Sequence, residues 1–143
     1  MIALTEKSRS AGSFVMVVED DAAFRWLLGE ALRYEGFEVL IAANGIEALQ
    51  LYRENSDNVW LVVADIVMPE MDGLTAATEM RKIDDNVFFI FMSGYDSEWI
   101  DRIGIKMEDI PNSGFFRKPF AFRELTSRIR TLERYYTGGE NET

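Results

Sequence analysis

Neither histidine nor cysteine occurs in the 143 residues, so side-chain chemistry in this protein has to come from carboxylates, hydroxyls and amines. Thiol nucleophiles, disulfides, thiolate or imidazole metal sites, and Ser-His or Cys-His pairs are excluded at once. The groups that remain are arranged in a pattern. Glu19-Asp20-Asp21 closes the apolar run FVMVV, Asp65 closes VWLVVA, Ser93-Gly94 closes VFFIFM, and Lys118-Pro119 closes the short run 115–117. If the first and third runs lie side by side, at least three carboxylates crowd together, which is unfavourable unless a cation or a shared proton offsets the repulsion. A hard divalent ion fits that need. Mg²⁺ takes oxygen ligands in octahedral geometry and keeps several waters, so two carboxylates, a backbone carbonyl and a phosphate oxygen would suit it. Lys118 adds a second positive charge. Taken singly, each group has an ordinary explanation: acids favour helix starts, a lone lysine is a solvated surface residue and a lone serine a turn residue. Their coincidence at four run ends outweighs those explanations, and Asp65 ends a run too apolar to hold an unpartnered acid. Asp21 keeps the ordinary role of a helix cap.

These groups need elements to carry them. FVMVV is short, continuous and rich in β-branched residues, the pattern of a strand buried on both faces of a parallel sheet. From 22 to 35, Phe24, Leu27, Leu28, Ala31 and Leu32 recur at helical spacing, and Gly36 follows as a C-terminal stop. The alternation then repeats: strand 37–42, helix 45–54 behind an Asn44 cap, strand 59–64, helix 74–82, strand 87–92, helix 97 to about 107, strand 115–117 and helix 121–136. Five strand–helix units with short connections predict an open parallel α/β sheet covered on both faces. Ligands of such sheets bind beyond the carboxyl ends of the strands, where all the polar residues above fall. Residues 1–13 read as a flexible N-terminal arm, 14–136 as one domain and 137–143 as a flexible tail.

Composition narrows the classes. A chain 48% hydrophobic can bury about two-thirds of its unfolded surface as one domain of this length. No apolar run approaches the roughly 18 to 20 residues that span a bilayer, and MIALTEKSRSAGS lacks a signal-peptide layout, so a cytoplasmic protein with no membrane contact is expected. The net charge of -10 repels phosphate backbones, so direct nucleic-acid binding is not expected.

Residues 14–136 resemble the receiver domains of bacterial response regulators in two-component signalling. Four motifs carry the resemblance, in order and spacing: VMVVEDD is similar to the first strand with its acidic pair, ADIVMPEMDG to the phosphoacceptor loop, FMSGY to the fourth-strand Ser/Thr motif and FFRKPF to the Lys-Pro motif. The resemblance implies a flavodoxin-like, doubly wound five-stranded parallel sheet of order 2-1-3-4-5. Aligning VVEDDAAFRWLL with the family's first strand and helix puts the acidic pair on Glu19 and Asp20, with Asp21 entering the helix.

By the same resemblance, Asp65 takes a phosphoryl group from the phosphohistidine of a sensor histidine kinase or histidine phosphotransfer domain. Mg²⁺ would be held by Asp20, Asp65 and the backbone carbonyl of Val67, with Glu19 acting mostly through water. Lys118 would pair with one phosphoryl oxygen and Ser93 with another, drawing its loop inward while Phe115 reorients as a switch. Lys118-Pro119 would be a cis peptide. Such a domain promotes its own aspartyl phosphorylation and dephosphorylation, yet it is a signalling module and not an enzyme. Two departures stand out: Phe115 replaces the commoner Tyr, leaving partner contacts to apolar packing, and Val67 is bulky and apolar, which predicts slow entry of hydrolytic water.

Rival readings fare worse. A haloacid-dehalogenase-type Mg²⁺-dependent phosphatase resembles Asp-x-Asp-x-Thr after the first strand, and that spacing is absent. A flavodoxin-like cofactor binder needs a Ser/Thr/Gly phosphate loop where Glu19-Asp20-Asp21 stands. A degenerate receiver working as a phosphate-independent interaction module is opposed by the complete set of Glu19, Asp20, Asp65, Ser93 and Lys118. The long stretch before the Lys motif resembles receivers fused to hybrid histidine kinases more than DNA-binding regulators, though a stand-alone regulator fits too. The surface of 97–107, 115–117 and the last helix, with Trp99 as a candidate contact, is where this family binds partners or forms homodimers. Trp99 alone reads as half-buried packing.

Overall fold

The computed structural model describes residues 13–95 and 97–141. Its elements are β1 (Phe14–Val18), α1 (Ala22–Tyr34), β2 (Glu38–Ala42), α2 (Gly45–Asn55), β3 (Val59–Asp65), α3 (Gly73–Ile83), β4 (Phe88–Ser93), α4 (Ser97–Asp101), β5 (Ser113–Arg117) and α5 (Phe122–Asn141), with 3₁₀ turns at Ser56–Asn58 and Met107–Asp109. The strands form one parallel sheet of order β2-β1-β3-β4-β5. The flavodoxin-like order implied by the motifs is the one found.

Side-chain alternation along the strands divides the core into two layers. Val15, Val17, Val63, Ile90 and Met92 face α1 and α5, where Leu28, Leu32, Leu125 and Ile129 cover them. Met16, Val18, Val62, Ala64, Phe89 and Phe91 face the other way, onto Ala48, Tyr52, Leu74 and Met80 of α2 and α3. All seven residues of β3 are buried, as a central strand covered on both faces requires. The register between β1 and β3 shifts at their start, where Phe14 stands opposite Val59 but Val15 opposite Leu61. Trp60 is the extra residue, so it and Leu61 join the same layer.

Helix starts follow from capping. Asp21, Asn44 and Asp72 each precede a helix in extended backbone, and their side chains accept the N–H of Phe24, Glu47 and Thr75. Each satisfies a donor that the first helical turn leaves unpaired.

Besides β5, which begins two residues earlier than expected at Ser113, two elements differ more widely from the sequence expectation. The helix expected over 97–107 stops at Asp101. Beyond it the chain turns through i→i+3 bonds from Ile103 to Ile100 and from Gly104 to Asp101, and Gly104 takes φ 87°, a left-handed conformation that ends a helix. At the other end, α5 continues to Asn141, through five residues assigned above to the tail. Extending a formed helix adds residues without the cost of a new nucleus, and Gly138 and Gly139 lie within this extension. The arm 1–12 and residues 142–143 lie outside the described residues. No described helix is long and apolar enough to cross a membrane.

Candidate functional site

Strand register gathers the chemistry. Val18 stands opposite Ala64, which sets the next residues, Glu19 and Asp65, side by side at the carboxyl edge. Asp65 is level with Met92, and Ser93 with Arg117, so Ser93 and Lys118 leave their strands at the same edge. A carboxylate oxygen from each of Glu19, Asp20 and Asp65 lies within 4.8 Å of the others. Glu19 is 1% exposed and Asp65 7%, while Asp20 faces solvent. Lys118 directly follows β5 and brings Nζ to 2.7 Å from Glu19 Oε1 and 3.6 Å from Asp65 Oδ2; its bond to Pro119 is cis.

Hydrogen bonds fix the backbone and side chains around the site. Glu19 Oε2 accepts the Asp21 N–H at 3.0 Å. Arg25, one turn into α1, donates from its guanidinium to the backbone carbonyls of Glu19 at 2.9 Å and Asp20 at 3.4 Å. The acidic turn is therefore clamped from the helix that it starts. Asp21 caps α1 and has no place in the three-carboxylate group. Ser93 is buried; its Oγ accepts the Tyr95 N–H at 3.0 Å and its carbonyl accepts the Lys118 N–H at 2.9 Å. Phe115 is half-buried, level with Phe91 and packed on the α2/α3 layer. Val67 is half-buried on the same layer. Trp99 is 49% exposed, its ring tilted by 58° against that of Tyr95 at 5.5 Å, with Arg102 over its own ring.

Burial and like charge set the acidities. Burial pushes Asp65 up to about 7, the negative charges of Glu19 and Asp20 push the same way, and Lys118 opposes them. Glu19 is also raised by burial, against the stabilising bonds from Lys118 and the Asp21 N–H. With all groups ionised, three carboxylates and one ammonium sum to -2. A divalent cation would cancel that charge, and oxygen-only donors are what Mg²⁺ accepts.

Two supporting residues escaped the sequence reading. Nothing in the spacing of Arg25 announces a backbone clamp. Gly73 is the second. Its N–H donates to the Ile66 carbonyl at 2.7 Å, and a Cβ on it would lie 2.2 Å from the Asp65 carbonyl oxygen. The signal was present, since glycine disfavours a helix and here occupies the first position of α3. The loop between Asp65 and Gly73 also holds Glu70 at φ 71°, with the Met71 N–H bonded to the Pro69 carbonyl, a γ-turn.

A family model described as the response regulator receiver domain matches residues 15–130. The chain belongs to the response regulator receiver family. This receiver domain is 37% identical over 123 residues to the sensor kinase CckA of Brucella abortus, a match covering 86% of this chain and 13% of CckA. It is 34% identical over 120 residues to the response regulator MprA of a Mycobacterium species, covering 84% and 50% of the two chains. The receiver thus spans half or less of these curated relatives. Among solved structures, the receiver domain of the hybrid histidine kinase CckA superposes with TM-score 0.70 at 30% identity, covering 83% of this chain and 97% of that one. The response regulator TrrA of Thermotoga maritima, solved in complex with Mg²⁺-BeF, gives TM-score 0.71 at 32% identity, covering 84% and 98%. The receiver is accordingly a domain of two-component signalling.

Proposed function

We propose that Asp65 accepts a phosphoryl group from the phosphohistidine of a histidine kinase or histidine phosphotransfer domain, and that the resulting aspartyl phosphate switches the surface around Ser93 and Phe115. One observation carries the reading: a buried carboxylate, Asp65, shares a strand edge with two more carboxylates and lies 3.6 Å from a lysine ammonium. In the transfer, an Asp65 carboxylate oxygen forms a bond to phosphorus as the phosphorus–nitrogen bond breaks, and the imidazole keeps the electron pair. Asp20, Asp65 and the Val67 carbonyl would hold Mg²⁺, with Glu19 acting through water. When bound, the ion supplies positive charge that keeps Asp65 ionised and offsets the charge of the incoming group. Lys118 leaves Glu19 for a phosphoryl oxygen. Ser93, whose hydroxyl oxygen already accepts from Tyr95, still has its proton to donate to another. The likeness to CckA over most of the chain supports a phosphorelay setting.

The test is direct. With Mg²⁺ and acetyl phosphate, intact mass is expected to show one phosphoryl adduct, absent in Asp65→Asn and absent without metal; a parent chain that takes no adduct would overturn the reading. Within the acidic turn, Asp20→Ala is expected to weaken Mg²⁺ binding at least about tenfold, the loss of one charged ligand, and Asp21→Ala far less, since Asp21 caps a helix. Equal losses in a Mg²⁺ titration would contradict that assignment. Val67→Asn is expected to shorten the aspartyl-phosphate lifetime by admitting water, and an unchanged decay would remove Val67 from that role.

A further inference from the structure

Lys118 has a third neighbour besides its two carboxylates. Its Nζ lies 4.5 Å from the ring centroid of Phe24, on the first turn of α1. The ammonium therefore sits between an aromatic face on one side and Glu19 and Asp65 on the other. That ring is itself fixed. Phe120 meets it edge-on at 6.0 Å and 85°, Phe122 meets it at 5.6 Å, and Phe120 packs in turn on Phe116 at 5.3 Å. Phe120 and Phe122 belong to the segment that follows Lys118-Pro119, so the ring facing the ammonium also anchors the chain that carries it.

The chemistry favours an aromatic residue here. The negative face of the ring attracts a cation, more strongly as water is removed, and the Lys118 side chain is only 23% exposed. Lysine ends in a mobile four-carbon stem with rotatable donors, so without the ring the two carboxylates alone would settle where the ammonium rests. We infer that Phe24 is a positioning residue: its ring face holds the Lys118 ammonium at the mouth of the carboxylate group, ready to meet an incoming anion. This rests on the proposed pairing of Lys118 with a phosphoryl oxygen. Leucine at 24 would keep apolar contact with Phe120 and Phe122 but offers the cation no quadrupole.

The experiment has two arms. In the first, adduct formation from acetyl phosphate and Mg²⁺ is followed by intact mass. Phe24→Leu is expected to slow it about three- to thirtyfold, the range set by a partly desolvated cation–π contact, and Phe24→Tyr, which keeps the face, to recover most of that loss. Phenylalanines carrying one, three and five fluorines at position 24 keep the packing and drain the face, so the rate should fall stepwise even if Phe24→Leu folds poorly. In the second, the Lys118 ε-methylene protons, assigned with Lys118→Arg, are expected upfield in the parent and in Phe24→Tyr and at the ordinary position in Phe24→Leu. A parent-like rate in Phe24→Leu with no trend on fluorination, or ε-methylene protons without the upfield shift in the parent, overturns the inference. A parent chain that takes no phosphoryl adduct overturns the functional reading instead, and the ε-methylene shift then decides the Phe24 contact by itself.

Discussion

Gly73→Ala is expected to destabilise the chain by about 3 kcal/mol and to abolish adduct formation at Asp65. Helix propensity alone points the other way, because alanine is favoured over glycine by about 1 kcal/mol inside a helix. Sterics decide the sign. The added Cβ would sit 2.2 Å from the Asp65 carbonyl oxygen and 3.0 Å from its carbonyl carbon, and both are backbone atoms that no side-chain rotation can move aside. Either the start of α3 or the end of β3 must shift, and the Gly73-to-Ile66 hydrogen bond that closes the loop goes with it. Overpacking in a well-packed site commonly costs about 1 to 3 kcal/mol, and a clash with backbone belongs at the top of that range. Urea unfolding of the two chains checks the magnitude. A stability equal to the parent's would show that the α3 start tolerates displacement.

In the absence of divalent metal, Asp65→Asn is expected to be more stable than the parent above pH 7, by on the order of 2 to 4 kcal/mol, and the gap should close toward pH 4. The folded chain holds Asp65 at about 7 against an ordinary value of 3.8, so between these values the folded state keeps a proton that the unfolded state has released. Stability therefore falls with rising pH in that window, by up to about 1.4 kcal/mol per pH unit for one proton. Below the ordinary value the contribution is fully present; above the folded value it is lost. Asparagine cannot titrate and removes the slope. Glu19, raised in the same direction, leaves the variant a smaller residual slope. Mg²⁺ should narrow the gap, because an ion bound only by the folded parent stabilises it in proportion to RT ln(1 + [L]/Kd). Melting temperatures of both chains between pH 4 and 8, with and without Mg²⁺, decide the matter, and parallel curves would mean that Asp65 carries no strain in the fold.

Much of this site was legible from residue order. A buried parallel strand is a continuous apolar run, so the polar residue that breaks it marks the strand's carboxyl end. That rule located Glu19, Asp65, Ser93 and Lys118 with one sequence in hand. Asp21 separated from the pair beside it because a cap precedes a periodic helix. The fourth helix is shorter than its apolar spacing suggests because Ile100, Ile103 and Met107 keep helical spacing across Gly104, and a single glycine does not show from sequence whether its φ is positive. The roles of Arg25 and Gly73, and of the Phe24 ring face beyond its place in the apolar stripe, share a reason for staying hidden: each acts on a group distant in sequence or on backbone, and helical periodicity records neither.

By itself, then, the sequence determined the alternation of strands and helices, the edge on which the polar groups gather and the kind of chemistry open to a chain without histidine or cysteine. Those follow from periodicity and composition, which are local. The pairing of Lys118 with Glu19 across 99 positions, the rise of Asp65 by burial, the aromatic face under the ammonium and the closeness of Gly73 to the Asp65 carbonyl were decided only by tertiary structure. Each depends on distances between segments that the chain brings together on folding, and Coulomb, desolvation and steric energies all change steeply over the few ångströms that sequence does not specify.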